Sequence, residues 1–261
     1  MRLPVALTIA GSDSGGGAGI QADLKTFHAF HVFGTSAITA VTVQNTVGVS
    51  AVHSIPADIV RGQIHAVASD FPVAAVKTGM LATRALVQLV ADAIRDESLT
   101  HFVLDPVMVA TSGDRLLDDE GVEAITSELL PICTIVTPNL DEAEILTELT
   151  VRDVNAMHDA ARFLVDNGAG AALVKGGHLE GEASIDVLYD GTNFHVFKHR
   201  RIETRNTHGT GCTLSAAITA GLALGDDLRT SVEQALDFVH RAIATAPGLG
   251  AGHGPLNHFT S

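Results

Sequence analysis

The sequence predicts an α/β fold in which a mostly parallel sheet is covered by helices on both faces. Short apolar runs alternate with amphipathic stretches along most of the chain, and this alternation is typical of strand–helix–strand units. Two late strand-like runs flank the Asp190-Gly191 turn, which predicts a hairpin that adds an antiparallel edge to the sheet. Because the chain has no internal repeat, low-complexity segment or linker, we expect residues 1–261 to form one domain.

The predicted strands are apolar runs, several rich in β-branched residues, that end in Gly, Pro or polar turn residues. The first run follows a single arginine and has no cleavage pattern after it, so it is a strand and not a signal peptide. In chain order the predicted strands span residues 5–11, 35–45, 74–81, 101–108, 133–139, 170–178 and, for the hairpin, 185–202.

The predicted helices are the amphipathic stretches between these strands. On the first helix Ile20, Leu24 and Phe27 recur at helical spacing and mark its apolar face, and Pro56 marks the start of the second. The predicted helices span residues 19–30, 56–71, 83–97, 118–130, 140–149, 154–167, 212–224 and 228–246.

Composition and charge exclude several classes of partner. Hydrophobic residues make up 46% of the 261 residues, which is enough for a sizeable core, and the formal net charge is −14. An acidic chain without a Lys/Arg cluster argues against nucleic-acid and anionic-membrane partners. The apolar runs are far shorter than a membrane span. Since Cys133 and Cys212 do not suggest a disulfide framework, a reducing, cytoplasmic setting is expected.

Polar residues collect where the predicted strands end. Ligands of open parallel sheets bind at the carboxyl ends of the strands, so this edge is where we expect a site. The strand-end segments, in chain order, are 10–19, 44–45, 77–80, 105–106, 137–139, with Glu142 one helical turn further on, and 175–177. Together they bring two glycine loops, two carboxylates and a lysine to one sheet edge, once the loop at 209–212 is included.

The first glycine loop, AGSDSGGGAG, fits neither common nucleotide-binding template. Ile20 stands where the third glycine of G-x-G-x-x-G is needed, and no Walker A lysine follows. The loop is therefore either a flexible strand-to-helix turn or a place where the backbone closely approaches a small ligand. Asp23 in the following helix either favours the helix N-terminus electrostatically or anchors such a ligand.

Asp105 and Glu142 form a candidate acidic pair for Mg²⁺, which prefers few carboxylates together with waters and substrate phosphates. The alternatives are a plain Asp-Pro turn and, since Asp141 and Glu144 flank Glu142, a solvated helix face. Lys175 ends a buried strand, so its ammonium needs an anion, either a phosphate or a surface carboxylate.

The segment from Gly209 through Thr210 and Gly211 to Cys212 is the strongest local signal. Small residues before a helix let backbone N–H groups converge, and such a loop binds an oxyanion without a basic side chain. A helix N-terminus also lowers the pKa of a thiol, so Cys212 is either a base toward an attacking hydroxyl or a small packed residue. The neighbouring His208 is expected to be a solvated loop residue.

Seven motifs carry a family resemblance that covers nearly the whole chain. In chain order they read AGSDSGGGAGIQADLKTF, TAVTVQNT, VKTGML, LDPVMVATSG, TPNLDEAEIL, VKGGH and HGTGCTLSAAI. With these motifs the chain resembles the hydroxymethylpyrimidine/phosphomethylpyrimidine kinases of thiamine biosynthesis, in the vitamin-kinase branch of the ribokinase-like superfamily. The resemblance implies a three-layer α/β/α sandwich and a homodimer.

The resemblance also implies an activity. Enzymes of this kind use ATP and Mg²⁺ to phosphorylate 4-amino-5-hydroxymethyl-2-methylpyrimidine, and then phosphorylate the monophosphate to the diphosphate. A pyridoxal-type kinase with the same fold is the alternative enzyme, and Gln44 is the residue that best discriminates against it. A non-catalytic binding module is disfavoured because Asp105, Glu142, Lys175 and Cys212 occur together.

The resemblance further implies a role for each matching position. It implies substrate contacts for Gly11, Asp23, Gln44, Met80 and Val107. It implies nucleotide-side roles for Asn139 and Lys175, and Mg²⁺ coordination for Asp105 and Glu142. It implies an anion hole formed by Gly209, Thr210 and Gly211, with Cys212 as the catalytic base. Closure of the first glycine loop and of residues 107–113 over the substrate is left open.

Overall fold

A computed structural model describes residues 3–108, 117–177 and 181–260 of the chain. The described strands form one nine-stranded sheet in the order β3-β2-β1-β4-β5-β6-β7-β8-β9. They span β1 Val5–Asp13, β2 Phe33–Gln44, β3 Val49–Ser54, β4 Val73–Thr78, β5 Phe102–Leu104, β6 Ile135–Val136, β7 Ala172–Lys175, β8 Ala183–Tyr189 and β9 Phe194–Arg200. Residues 109–113 belong to the segment whose closure over the substrate the sequence leaves open, and they lie outside the described residues. His178 of the sixth predicted strand also lies outside them.

Helices cover both faces of the sheet, which confirms the predicted three-layer architecture. They span α1 Gly19–Ala29, α2 Ala57–Ala68, α3 Arg84–Asp96, α4 Asp119–Ala124, α5 Leu140–Thr147, α6 Val154–Asp166, α7 Thr210–Leu224 and α8 Leu228–Ala244. Helices α1, α7 and α8 share one hydrophobic core, and α2 to α6 share the other.

Central strands contribute side chains to both cores. In β1 Ala6 packs toward the core of α1, α7 and α8, while Leu7 and Ile9 pack toward the opposite core. In β5 Val103 and Leu104 divide in the same way. Because successive side chains of a strand point to opposite faces, a strand covered on both faces must be apolar throughout. This requirement explains the unbroken apolar runs from which the strands are predicted.

The sheet is parallel at its centre and antiparallel at both edges. Strands β2, β1, β4, β5, β6 and β7 pair in this order as parallel neighbours. The predicted hairpin of β8 and β9 pairs antiparallel with β7 through β8 and forms one antiparallel edge. The other edge is β3, which pairs antiparallel with β2 and is absent from the sequence prediction. Its sequence VSAVHS is short and its side chains are mostly exposed, so it lacks the apolar run by which the central strands are recognised.

The fourth helix also differs from its prediction over residues 118–130. Only Asp119–Ala124 is α-helical, and a π-helical turn at Ile125–Leu129 and a 3₁₀ turn at Leu130–Ile132 complete the segment. Pro131 lies in the 3₁₀ turn, where its missing N–H and fixed φ oppose further α-helix. In the described part of the chain, no helix has the length and apolarity that a membrane crossing requires.

Candidate active site

A cavity of about 730 Å³ lies at the carboxyl ends of the parallel strands, where the sequence predicts a site. Its volume is in the range typical of small-ligand pockets. Every predicted site residue except Asp23 lines it. These residues are Gly11, Gln44, Met80, Asp105, Val107, Asn139, Glu142, Lys175, Gly209, Thr210, Gly211 and Cys212.

A lysine and two carboxylates meet in the middle of the cavity. Lys175 Nζ lies 3.5 Å from Asp105 Oδ1 and 3.9 Å from Glu142 Oε2. Burial raises the pKa of Glu142 to about 7 and Asp105 adds to the increase, although Lys175 opposes it. Burial by itself would lower the pKa of Lys175, but the Asp105 and Glu142 charges raise it above its ordinary value. The anions that Lys175 contacts are thus buried carboxylates of the site.

Asn139 and Glu142 hold each other at the start of α5. The Asn139 side chain accepts a hydrogen bond of 2.9 Å from the Glu142 amide, and Glu142 Oε2 accepts one of 2.8 Å from the Asn139 amide. This reciprocal pair is a capping box, which an N-cap residue followed three positions later by Glu signals in sequence. Glu142 is only 5% exposed, so the solvated-face alternative is wrong for this residue.

Asp105 is also held by α7. Ser215 Oγ donates a 3.0 Å hydrogen bond to Asp105 Oδ2, and Ser215 is not among the predicted site residues. A Cβ atom on Gly211 would lie 3.3 Å from Lys175 Nζ and 4.0 Å from both Asp105 carboxylate oxygens. The helix α7 thus begins at Thr210, two residues before its predicted start, and the absence of a side chain at residue 211 lets its first turn pack closely against the charged cluster.

The two glycine loops touch each other through their backbones. Gly209 is the N-cap of α7 with φ +83°, and a Cβ atom there would overlap the carbonyl oxygen of Gly17. Gly19, the first residue of α1, directs its backbone N–H toward the Cys212 thiol. Two helix N-termini thus converge beside Cys212, and amide groups at such termini favour anions.

The predicted lowering of the Cys212 pKa is wrong for this site. Burial raises the pKa of the thiol to about 12, and Lys77 only partly offsets that effect. The charges of Asp23 and Asp105 raise the pKa further. Desolvation and two carboxylates therefore outweigh the nearby amides and the Lys77 ammonium. The Cys212 side chain is therefore a protonated thiol at neutral pH.

Asp23 lies beneath the cavity and outside its lining. Its carboxylate accepts a 2.8 Å bond from Lys77 Nζ and a 2.6 Å bond from Thr8 Oγ1, and both charged side chains are completely buried. Burial would lower the pKa of Lys77, but Asp23, Cys212 and Asp105 raise it above its ordinary value. Lys77 is therefore a buried cation, although in the sequence it is only one residue of a predicted strand end.

Asp13 and His208 join the two glycine loops, and neither is among the predicted site residues. His208 Nε2 lies 2.9 Å from Asp13 Oδ2 and 3.4 Å from Gln44 Nε2. His208 is 8% exposed, so its predicted placement as a solvated residue is wrong. An Asp two residues before a glycine run is a signal for a side chain that bonds the following amides, but its distant partner has no local signal.

Near β9 and α8 the cavity is lined by apolar side chains together with the basic residues His199, Arg200, Arg201 and His240. The apolar side chains there are Ile202, Leu214, Leu236, Val239 and Ile243. Asp186 lines the same region and accepts a 3.0 Å hydrogen bond from the Gly176 amide, while burial raises its pKa. Along the strand order, the lining thus changes from the Gln44 amide at the end of β2, through the charged cluster, to a mixed apolar and basic region near β9 and α8.

Comparisons with known proteins find relatives over nearly the whole chain. A sequence model of the phosphomethylpyrimidine kinase family matches residues 13–257. The hydroxymethylpyrimidine/phosphomethylpyrimidine kinase of Rhizobium meliloti is 52% identical over 258 residues, which cover 98% of this chain and 97% of that protein.

Two solved structures share the fold over nearly the whole chain. The phosphomethylpyrimidine kinase of Clostridium difficile matches with a TM-score of 0.83 and 40% identity, covering 93% of this chain and 100% of that one. The pyridoxal kinase of Staphylococcus aureus in complex with AMP-PCP and pyridoxal matches with a TM-score of 0.92 and 36% identity, covering 99% and 94%. By the family match and the full-length similarity, this chain belongs to the phosphomethylpyrimidine kinase family.

Proposed function

We propose that the cavity binds a hydroxymethylpyrimidine beside ATP and transfers the γ-phosphoryl group to it, in thiamine biosynthesis. The protein makes the monophosphate first and then phosphorylates that product to the diphosphate. One observation carries the proposal: a single cavity joins the Gln44 amide, the cluster of Asp105, Glu142 and Lys175, and the loop before α7. Phosphoryl transfer needs mainly positioning and charge stabilisation, and this set of groups supplies both.

The pyrimidine is proposed to lie at the end of the cavity formed by Gly11, Gln44, Met80 and Val107. The Gln44 amide offers both a donor and an acceptor, which suits the edge of an aminopyrimidine. Asp23 is proposed to act on the site indirectly, by holding the Lys77 charge near Cys212, because both side chains are completely buried and neither lines the cavity.

ATP is proposed to occupy the remaining length of the cavity. Its phosphates lie beside Asn139 and Lys175, and its base lies against the apolar lining near α8. This arrangement explains how a chain with a net charge of −14 binds a polyanion, since Lys175 and backbone amides act locally.

Asp105 and Glu142 are the residues that would hold Mg²⁺. Their carboxylates are hard oxygen ligands, and Mg²⁺ usually takes one or two carboxylates with waters and substrate phosphates. Among the described residues no group of three or more His, Cys, Asp or Glu forms a metal site by itself, which fits an ion that arrives with the nucleotide. When bound, the ion neutralises charge on the phosphates.

The loop from Gly209 to Cys212 is proposed to stabilise the transferring phosphoryl group through its backbone N–H groups. In the first step the nucleophile is a neutral alcohol, so a proton must leave it, and the proposed acceptor is the Cys212 thiolate, formed after the thiol has lost its own proton to solvent. In the second step the nucleophile is a phosphate oxygen that is already anionic near neutral pH. The backbone of the loop therefore serves both steps, and the thiol serves chiefly the first.

The test is mass-spectrometric detection of products after incubation with Mg-ATP. The expected products from 4-amino-5-hydroxymethyl-2-methylpyrimidine are the monophosphate followed by the diphosphate. A parallel incubation with pyridoxal tests the second candidate, a pyridoxal kinase, which the fold similarity to the S. aureus enzyme favours. Faster turnover of pyridoxal would replace the proposal, and absence of turnover with both alcohols would overturn it.

We also propose that the protein is a cytoplasmic homodimer without nucleic-acid or membrane partners. The two cysteines are free, as is typical of reducing compartments, and the negative net charge disfavours nucleic acid and anionic lipid. The edge strand β3 and its neighbour β2 expose apolar side chains that suit a contact between copies.

A further inference from the structure

His208 is bonded to the first glycine loop through Asp13. The Asp13 carboxylate accepts hydrogen bonds from the amides of Gly15 at 2.7 Å, Gly17 at 3.0 Å and Ala18 at 2.9 Å. Burial would raise the pKa of Asp13, but His208 and the amides of Ala18 and Gly15 lower it below its ordinary value. Asp13 is therefore an anion at neutral pH, and the His208 Nε2 that faces it must carry a proton and donate it.

The backbone of His208 is hydrogen-bonded to the C-terminal segment, which is residues 245–260 after α8. The His208 amide donates a 3.1 Å hydrogen bond to the carbonyl of Gly254, and His208 forms an isolated bridge with Pro255. Two residues earlier in the segment, the His253 amide donates a 2.8 Å bond to the carbonyl of Thr46 in the turn after β2. The C-terminal segment thus connects the loop before α7 with the turn that follows Gln44.

We propose that His208 is a positioning residue for the phosphoryl transfer, which it serves by holding the first glycine loop against the loop before α7. The close contact between Gly17 and Gly209 shows how little space separates the two loops. If the loops separate, the Gly19 amide moves away from the Cys212 thiol. The end of the cavity that is proposed to bind the pyrimidine then also moves away from the loop at residues 209–212. His208 has no proposed contact with the phosphates and takes no proton from the substrate.

The kinetic part of this inference rests on the proposed function, whereas the loop contact does not. Misplacement of reacting groups by about 1 Å costs about 10²-fold in rate. Loss of the Nε2 donor is therefore expected to lower kcat for the alcohol step by about 10²-fold and to raise KM for the pyrimidine. KM for ATP should change little, because the proposed nucleotide contacts Lys175 and Asn139 belong to β7 and to the N-cap of α5, and not to either glycine loop.

Two substitutions separate the donor from the bulk of the side chain. His208→Leu removes the donor and keeps an apolar volume, and His208→Gln places an amide N–H where Nε2–H was. We expect His208→Leu to show the loss and His208→Gln to restore most of the activity. His28→Leu is the matched control, because it removes an exposed imidazole from α1. Asp13→Asn removes the charge at the other end of the bond and is expected to act in the same direction as His208→Leu.

Thiol labelling tests the loop contact without turnover. Cys212 and Cys133 are the two thiols of the chain, and Cys133 is buried in the core, so it is an internal reference. If the loops separate, water reaches the Cys212 thiol and relieves the burial that raises its pKa, an effect larger than the loss of the Gly19 amide. The reaction of Cys212 with 4,4′-dithiodipyridine should therefore become about tenfold faster in His208→Leu, which corresponds to a thiol pKa lower by about one unit. The rate in His208→Gln and His28→Leu should equal that of the unchanged protein.

The outcomes are distinct. Equal labelling of Cys212 in the Leu variant and the unchanged protein overturns the inference, as does an equal loss of activity in the Leu and Gln variants. If the Leu variant does not fold, the same labelling comparison in Asp13→Asn decides. If neither pyrimidine nor pyridoxal is phosphorylated, the proposed function fails, while faster labelling in His208→Leu still supports the loop contact.

Discussion

Cys212 lies where two helix N-termini meet, yet its thiol stays protonated because burial outweighs the amides. A thiol with a pKa of about 12 in the free site must lose its own proton to solvent before it can accept one from the substrate. Lys77 and the Gly19 amide are the groups that already favour the thiolate.

The pH dependence of alkylation checks this protonation state. With a pKa near 12, the iodoacetamide reaction of Cys212 in the free protein should keep rising with pH through 9, because the thiolate fraction keeps growing. Rates are followed by mass spectrometry of the labelled peptide. A plateau near neutral pH would mean that the thiol pKa is lowered, and would contradict the burial argument.

Cys212 substitutions should separate the two phosphorylation steps. Cys212→Ala or Cys212→Ser is expected to slow the alcohol step by about 10²-fold or more, the usual size of base catalysis, and the phosphate step far less. Single-turnover rates measured separately with the alcohol and with its monophosphate check this. Equal losses in the two steps would leave the loop with an anion-binding role alone.

The buried pair of Lys77 and Asp23 should dominate local stability. Lys77→Met leaves an unpaired carboxylate with no access to water and should cost about 3–5 kcal/mol of unfolding free energy. Adding Asp23→Leu should recover much of that loss, since no buried charge then remains. Urea unfolding measures both variants.

The exposed pair of Arg61 and Asp96 is the matched control for this measurement. Arg61→Met should cost about 1 kcal/mol or less, because solvent screens the pair. A loss in Lys77→Met as small as that in Arg61→Met would show that the buried pair is not the constraint described here.

At the scale of single elements, α7 positions Cys212 and the amides beside it, and it also contacts Asp105. Its N-cap is Gly209 and its first turn contains Cys212, while Ser215 in the next turn holds Asp105. The helix is almost completely buried between α1, α8 and the sheet, so its N-terminus has little freedom to move. A buried helix therefore fixes where the anion-binding amides point.

The two glycines that cap α7 make a direct test of this arrangement. Gly209 and Gly225 both have left-handed backbones, with φ +83° and +92°. Gly225→Ala meets no atom within 4 Å and should cost about 1–2 kcal/mol for the backbone conformation alone. Gly209→Ala would also strike the Gly17 carbonyl, so it should destabilise more and abolish most activity. Equal unfolding free energies for the two variants would argue against the tight contact between the loops.

At the scale of the whole molecule, the edge of β2 and β3 is the surface that suits a second copy. Val41 and Val43 are 43% and 59% exposed, and their register partners His53 and Ala51 lie on β3. Natural sheets usually protect such an edge by charge, twist or a covering partner. An apolar face at this position is therefore consistent with a homodimer.

Sedimentation of a charged variant tests this surface. Val41→Lys/Val43→Lys should convert a dimer into a monomer, because a dimer contact would bury two lysines without partners. Val196→Lys on β9 is the control, since Val196 is 42% exposed at the opposite edge of the sheet. Dissociation by the control variant, or an unchanged mass for the double variant, would rule out the β2–β3 surface.

The sequence by itself determined the layered α/β architecture, the order of its motifs and the sheet edge where the site lies. These features depend on local periodicity and on strand-end residues, which are written in consecutive positions. The strand-end glycines, Asp105 and Lys175 could be found in this way because each follows an apolar run directly.

The tertiary structure alone decided which side chains face each other and how deeply they are buried. Asp13 and His208 are 195 residues apart, and Asp23 and Lys77 are 54 apart, so no local spacing indicates either pair. The protonation of Cys212 also depends on desolvation by groups from several strands and helices. Burial and long-range charge act through space, and only the folded chain brings these groups together.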